Sequence, residues 1–256
     1  MTSQPGPEAP LRSAAERDAA AAYAKAFADS PDDVQTKLTN FTKYIRRQDL
    51  TRLLARYEIF KQVLDVKGSI VECGVRGGGG LMAWAKLCST FEPFAIHRRV
   101  VGFDTFAGFP SLSDQDRPGA GAELAVHRVG GFRPQHDVHG ELSDLIALYD
   151  RRRILGSHTK VELVRGDACQ TIPAYVESNR HLLVALLFLD FDLYAPTRTA
   201  LQYLLPRMPK GAVLAFDEVN SAHWPGETDA LLEMLDLRSL ELKKFPFDPN
   251  VAYAVL

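Results

Sequence analysis

Long apolar runs are missing from this sequence. The longest, Leu182 to Leu189, has eight residues, far short of the roughly 20 that a membrane-spanning helix needs. A bias of charge is missing too, because 30 lysines and arginines are balanced by 32 aspartates and glutamates, for a formal net charge of −2. We therefore expect no membrane partner. Since a nucleic-acid backbone would find no general electrostatic support, we expect no nucleic-acid partner either.

Cysteine is also scarce. Cys73, Cys88 and Cys169 are an odd number without C-x-x-C spacing, which argues against a disulfide framework or a zinc site. The first residues lack the basic-then-apolar layout of a secretion signal. These features predict a cytoplasmic protein, and 256 residues with 46% hydrophobic content suffice for one large globular domain, alone or with a small appendage.

The most distinctive stretch is residues 69–80, where five glycines fall within Gly74–Gly80. An apolar strand pattern precedes them and a helical pattern follows, an order that lets a nucleotide-like ligand approach the backbone of an open α/β sheet. The spacing Glu72-x-Gly74-x-x-Gly77 differs from the dinucleotide fingerprint. An acid at the strand end could accept a hydrogen bond from an ammonium group, which suits the amino-acid end of S-adenosylmethionine. A flexible surface loop is the alternative that a glycine run alone leaves open.

The patterns along the chain predict a doubly wound α/β sheet that is mostly parallel, with one antiparallel strand at its edge. The first strand pattern ends at residues 70–72. Further strand patterns cover residues 97–104, 161–167, 182–190, 212–216, 240–245 and 251–256. Helical patterns cover 11–28, 51–66, 81–87, 141–155, 168–179, 195–208 and 227–237. The segment 182–190 is apolar throughout until its last residue, as expected of a central parallel strand covered on both faces.

The chain divides by composition into a tail, an N-terminal helical part and a main domain. Residues 1–10, with three prolines, are predicted to be disordered. Residues 11–66 form helices that pack on the core or on a partner subunit, so a homo-oligomer is expected. Residues 67–256 form the main domain, and its irregular segment 111–140 is predicted to be a substrate-side lid.

Two groups of side chains could bind a ligand, but their patterns favour an ordinary surface position. The histidines at 127, 136 and 139 in the segment 111–140 match no zinc spacing. The arginines at 46, 47, 52 and 56 are more typical of a solvated helix face than of an anion site.

Acidic side chains end five successive predicted strands. In order they are Glu72, Asp104, Asp167, Asp190 with Asp192, and Asp217 with Glu218. Because ligands of such sheets bind beyond the carboxyl ends of the strands, we expect these acids to share one site. The first three could contact an ammonium group, ribose hydroxyls and an amino-substituted base, and the others could hold a hard divalent cation such as Mg²⁺. Asp190 and Asp192 reach one site only if the chain turns there, and helix capping is the alternative role of any single acid.

Five motifs together resemble the macrocin-type (TylF-type) sugar O-methyltransferases, and among them the rhamnose O-methyltransferases of enediyne (calicheamicin-type) biosynthesis. They are VECGVRGG (71–78), GFDTFAGFP (102–110), GDA-x-x-TIP (166–173), LDFDLY-x-x-T (189–197) and FDE (216–218). The resemblance implies a Rossmann-like class I methyltransferase fold and an S-adenosylmethionine- and magnesium-dependent enzyme. It implies transfer of a methyl group to a deoxysugar hydroxyl in natural-product biosynthesis.

The resemblance also implies roles for individual residues. Glu72, Gly74, Gly77 and Gly78 would hold the methionine part of the cofactor, Asp104 the ribose, and Asp167 with Ala168 the adenine. Asp190, Asp217 and Glu218 would bind the metal, and Asp192 would be the general base. The chain departs from the family at two places. It has Asp217-Glu218 where the family usually has two aspartates, and it has Arg76 where the family often has an aromatic residue.

Two other functions are compatible with the same motifs. A metal-dependent methyltransferase for a phenol or catechol would need aromatic side chains in the segment 111–140, where Phe132 is the only one. A nucleotide- or sugar-binding module without catalysis would keep the glycine turn and the acids.

Overall fold

A computed structural model describes residues 13–256, so the predicted disorder of residues 1–10 lies outside the described residues. The chain divides into two compact units, with the boundary between Leu54 and Ala55. The first contains α1 (Ala14–Asp29), α2 (Val34–Thr39) and the start of α3 (Arg47–Gln62). The side chain of Ser13 caps α1 by accepting a hydrogen bond from the backbone N–H of Glu16, whose carboxylate in turn accepts one from the backbone N–H of Ser13. The packing predicted for these helices, on the core or on a partner, stays a prediction.

The second unit alternates strands and helices. Its strands are β1 (Ser69–Cys73), β2 (Val100–Asp104), β3 (Val161–Arg165), β4 (Val184–Leu189), β5 (Val213–Phe216), β6 (Lys243–Lys244) and β7 (Ala252–Val255). Its helices after α3 are α4 (Gly79–Phe91), α5 (Val138–Arg152), α6 (Ala168–Ser178), α7 (Tyr194–Leu204) and α8 (Pro225–Met234). Among residues 13–256, no helix combines the length and apolar character needed to cross a membrane.

The seven strands form one sheet in the order β3-β2-β1-β4-β5-β7-β6. The first five are parallel, and β7 pairs antiparallel with both β5 and β6. The doubly wound, mostly parallel sheet is therefore confirmed. The position predicted for the reversed strand is wrong. The reversed strand is β7, and it lies one place inside the edge because the two-residue strand β6 pairs with its outer side while β5 pairs with its inner side.

Two apolar layers cover the sheet. One joins α3, α4 and α5 to one face through buried residues such as Phe60, Trp84 and Leu142. The other joins α6, α7 and α8 to the opposite face through residues such as Ile172 and Leu201. All six residues of β4 are buried, as expected of a central strand between two helical layers. This packing aligns the carboxyl ends of β1 to β5 along one rim.

Candidate active site

The glycine turn after β1 is closely packed at Gly74 and Gly78 and open at Gly77. Gly74 has φ +95°, and a Cβ there would collide with the carbonyl oxygen of Asp190. Gly78 has φ +80° at the N-cap of α4, and a Cβ there would collide with the side chain of Leu142. An added Cβ at Gly77 would meet nothing within 4 Å. The turn therefore has backbone that a ligand can approach closely.

Glu72 lies beneath this turn and is 1% exposed. Its Oε1 accepts a hydrogen bond of 3.3 Å from Nη2 of Arg56, and its Oε2 has no hydrogen-bond partner. Burial raises the pKa of Glu72 to about 7, and the positive charge of Arg56 opposes that rise. A buried carboxylate with one unsatisfied oxygen is suited to receive a donor from a ligand.

Arg56 and Gly80 also belong to the candidate site, although neither was predicted from the sequence to be a site residue. Arg56 is buried, with its guanidinium 4.7 Å from the ring centroid of Phe188, so the prediction of a solvated helix face is wrong for this arginine. A Cβ at Gly80 would collide with Oε1 of Glu72 and crowd the Arg56 guanidinium. The pairing of Arg56 with Glu72 thus requires glycine at position 80.

Asp104, at the end of β2, holds the glycine turn in place. Its Oδ2 accepts hydrogen bonds of 2.8 Å from the backbone N–H groups of both Val75 and Arg76, and its Oδ1 accepts one of 2.6 Å from Phe106. A carboxylate can accept about four hydrogen bonds. Asp104 therefore both orders the turn and keeps acceptor capacity toward a ligand.

Asp167 lies one strand further along the same rim. It caps α6, with Oδ1 accepting a 2.9 Å hydrogen bond from the N–H of Cys169. The backbone N–H of Gly166 donates to the carbonyl of Asp104 across 2.9 Å, which ties the ends of β2 and β3 together. Ala168 is the buried first residue of α6. The helix capping weighed as an alternative is present at Asp167, and the predicted contact with adenine is untested.

Asp190 and Asp217 follow neighbouring strands in the same register. Leu189 pairs with Phe216, so each aspartate is the next residue after a paired one. The N–H of Asp217 donates to the carbonyl of Leu189 across 2.9 Å. Because adjacent strands lie roughly 4.8 Å apart, these two predicted metal ligands start from adjacent positions.

The three acids predicted to bind the metal are Asp190, Asp217 and Glu218. Across the part of the chain that the structure describes, no group of three or more His, Cys, Asp or Glu is arranged to hold a metal ion. Asp190 and Asp217 nevertheless offer carboxylates at adjacent strand ends. Mg²⁺ prefers such oxygen donors and often takes only one or two carboxylates, with water in its other positions. The donor set therefore fits Mg²⁺ in kind.

The chain turns at Asp192, which is the condition for Asp190 and Asp192 to reach one site. Its φ of +63° is in the left-handed region, where a short polar side chain is tolerated. Burial raises the pKa of Asp192 well above its usual range, with further contributions from the charges of Asp190, Glu227 and Glu218, while Arg76 opposes them. Asp192 therefore lies among carboxylates, with Arg76 as a counter-charge.

Glu227 is a site residue that was not predicted from the sequence. It is fully buried in the first turn of α8. Its Oε1 accepts a 3.3 Å hydrogen bond from the N–H of Asp192, and its Oε2 accepts one of 3.1 Å from the N–H of Glu218. Burial raises the pKa of Glu227 well above its usual range. Glu227 thus fixes the two turns that carry the acids after β4 and β5.

The segment 111–140 is irregular apart from one short 3₁₀ turn and the start of α5. Asp116, which is 3% exposed, ties it to α7 through a 2.6 Å hydrogen bond from the N–H of Tyr194. The ring of Phe132 packs 5.4 Å from that of Phe109 and 5.6 Å from that of Trp224. The prediction that this segment is irregular is confirmed, and its role as a lid remains a prediction.

Solved structures of known proteins share this fold. Two solved structures of CalS11, a calicheamicin methyltransferase described as a TDP-rhamnose 3'-O-methyltransferase, cover 95% of this chain. Their TM-scores are 0.90 and 0.81, their identities are 34% and 30%, and 93% and 95% of those chains are covered.

Two curated relatives match over a shorter region. Mycinamicin III 3''-O-methyltransferase of Micromonospora griseorubida is 26% identical over 153 residues, which are 60% of this chain and 56% of that protein. The 8-demethyl-8-(2,3-dimethoxy-alpha-L-rhamnosyl)-tetracenomycin-C 4'-O-methyltransferase of Streptomyces olivaceus is 29% identical over 154 residues, 60% of this chain and 53% of that protein. The chain thus spans about half the length of the curated relatives it matches.

The match to a family model is longer than either of these, and it confirms the resemblance drawn from the five motifs. Residues 43–231 match the macrocin O-methyltransferase (TylF) model, and the chain belongs to that family.

Proposed function

We propose that this protein is an S-adenosylmethionine-dependent O-methyltransferase that methylates a deoxysugar hydroxyl in natural-product biosynthesis with the help of Mg²⁺. The observation that carries the proposal is the single rim on which two sets of acids meet. Glu72 lies near the end of β1, Asp104 ends β2 and Asp167 comes just after β3, while Asp190 and Asp217 directly follow β4 and β5. The open glycine turn lies where the two sets adjoin.

The first set of residues suits the methyl donor. The unsatisfied Oε2 of Glu72 would accept a hydrogen bond from the ammonium group of the donor, whose methionine part would lie against Gly74, Gly77 and Gly78. Asp104 would accept hydrogen bonds from the ribose hydroxyls. Asp167 and Ala168, at the start of α6, would contact the adenine.

The second set suits the acceptor hydroxyl. Asp190 and Asp217, with Glu218 beside them, would hold the metal ion. When bound, S-adenosylmethionine supplies a methyl carbon activated by a sulfonium, and Mg²⁺ supplies a Lewis acid that lowers the pKa of a hydroxyl. Asp192 would take the proton as the sugar oxygen bonds to the methyl carbon and the carbon–sulfur bond breaks, leaving a neutral thioether. Alignment of oxygen, carbon and sulfur is the main contribution of the protein.

The test combines a binding and a transfer measurement. Calorimetry with S-adenosylhomocysteine should give one site per chain, and radiolabelled methyl transfer to TDP-rhamnose, the substrate named for CalS11, should fall on addition of EDTA and return with Mg²⁺. Binding without transfer to TDP-rhamnose or to rhamnosylated glycosides would favour a binding module. Transfer to a catechol alone would overturn the sugar assignment.

The cytoplasmic location and the homo-oligomer predicted from the sequence belong to this proposal as well. Light scattering after gel filtration would test the second, and a monomer at every concentration would contradict it.

A further inference from the structure

Arg76 occupies an unusual backbone position within the glycine turn. Its φ is +51°, a conformation that a residue with a long side chain adopts only when its surroundings impose it. The hydrogen bond from its N–H to Oδ2 of Asp104, 2.8 Å long, fixes that conformation. The side chain is exposed and its guanidinium lies over the ring of Phe132, 4.6 Å from the centroid.

Phe132 is held in an equally demanding conformation. Its φ is +59°, and it ends a short segment, residues 124–132, that we name the strap. The strap is joined to Phe109 by two backbone hydrogen bonds, from the N–H of Phe109 to the carbonyl of Gly131 (3.0 Å) and from the N–H of Gly130 to the carbonyl of Phe109 (2.9 Å). The strap thus presents the Phe132 ring from a fixed backbone.

Phe132 also contacts a residue beside α8, the helix that leads toward the acids after β4 and β5. Phe132 packs against Trp224, which is 6% exposed and immediately precedes α8. The carboxylate of Glu227, in the first turn of α8, accepts the hydrogen bonds from Asp192 and Glu218. A continuous chain of contacts therefore connects the glycine turn to the turn that carries Asp192.

We propose that Arg76 is a positioning residue that docks the strap onto the glycine turn through its stacking on Phe132. The contact joins the donor side of the site to the acceptor side, so it aligns the acceptor hydroxyl with the bound methyl donor. The assignment of the two sides rests on the proposed function, whereas the docking contact stands on geometry alone. A cation over an aromatic ring at an exposed site is strong enough to change the docking equilibrium constant of the strap severalfold, and weak enough for the strap to open.

Hydrogen exchange of the full-length protein tests the docking without any substrate. Arg76→Met keeps the length of the side chain and removes the cation, and Phe132→Leu removes the ring. Both should raise the exchange rate of strap amides about two- to fivefold. Arg133→Met, a loss of the same charge one residue beyond the strap, should leave the rate within about twofold of the wild type. Acrylamide should quench Trp224 more readily in the first two variants, while Trp84, fully buried in the core, should not change.

Kinetics separate the positioning role from a purely structural one. Arg76→Met should raise the KM for the sugar acceptor about two- to fivefold while the Kd for S-adenosylhomocysteine stays within about twofold, and Arg76→Lys should recover part of the KM change. If the strap amides exchanged at the same rate in Arg76→Met as in Arg133→Met, the proposal would be overturned. Faster strap exchange in a protein that methylates no sugar would support the docking and overturn the proposed function instead.

Discussion

Nη2 of Arg56 donates a 3.3 Å hydrogen bond to Oε1 of Glu72, and this buried pair leaves Oε2 of Glu72 without a partner below the glycine turn. One cation therefore only partly compensates the burial of the carboxylate, whose pKa is raised to about 7. A ligand ammonium would supply the missing donor. The pair is thus incomplete in a way that favours the methyl donor proposed here.

The first prediction concerns the effect of pH on stability without ligand. The unfolded Glu72 carboxyl loses its proton near its usual 4.5, whereas the folded one keeps it until about pH 7. The folded state therefore binds more protons between these values, and the free energy of unfolding falls as pH rises through them. Urea titrations should show the wild type losing about 3 kcal/mol relative to Glu72→Gln between pH 4.5 and 7.5. If the free energies of unfolding of the wild type and Glu72→Gln changed in parallel with pH, this result would contradict the raised pKa of Glu72.

Adjacent glycines at the start of α4 provide a matched pair for the second prediction. Gly80→Ala places a methyl group against Oε1 of Glu72 and the Arg56 guanidinium, so it should lower the free energy of unfolding by about 1–3 kcal/mol. The affinity for S-adenosylhomocysteine should fall about tenfold. Gly79→Ala, with nothing within 4 Å of the new Cβ, should leave affinity unchanged and stabilise by about 0.4–1 kcal/mol. Equal effects of both substitutions would contradict the role of Gly80.

The architecture could be predicted from the sequence because its signals are local. Apolar runs that end in an acid locate β1 to β5 and the rim, and the glycine turn locates the start of α4. The turn at Asp192 followed from the period of a strand, since Asp190 and Asp192 can share a site only if the chain turns there.

The missed features depend on contacts that no local pattern records. Arg56 shares its helix with arginines of a basic pattern, and its burial under the glycine turn depends on the glycine at 80, in another element. Glu227 resembles an ordinary acid in the first turn of a helix, where the dipole favours it. Its hydrogen bonds to Asp192 and Glu218 exist only after β4, β5 and α8 are assembled. The order of β6 and β7 is likewise decided by which strand pairs with β5.

The third prediction tests the proposed general base. Asp192→Asn keeps the side-chain size and tolerates the left-handed φ of +63°, but it cannot take a proton. The rate of methyl transfer should fall by about 10²–10⁴-fold. The Kd for S-adenosylhomocysteine should stay within about twofold, because the residues proposed to bind the donor belong to β1 and the glycine turn after it, to β2 and to the start of α6. Normal turnover of this variant would show that another group accepts the proton.

The fourth prediction concerns Glu227, which acts through backbone positions. Glu227→Gln replaces one acceptor oxygen by an NH₂ group, so one of the two N–H groups, of Asp192 or Glu218, loses its partner. The loss of one buried hydrogen bond should cost about 1–3 kcal/mol, and thermal unfolding should show it as a fall of about 2–10 °C in Tm. The rate of methyl transfer should fall about tenfold through displacement of Asp192, with the Kd for S-adenosylhomocysteine unchanged. Glu233→Gln, at the exposed end of the same helix where Glu233 pairs with Arg198, should change neither quantity appreciably. A Glu227→Gln variant with the Tm and turnover of the wild type would mean that the Asp192 turn keeps its shape without this carboxylate.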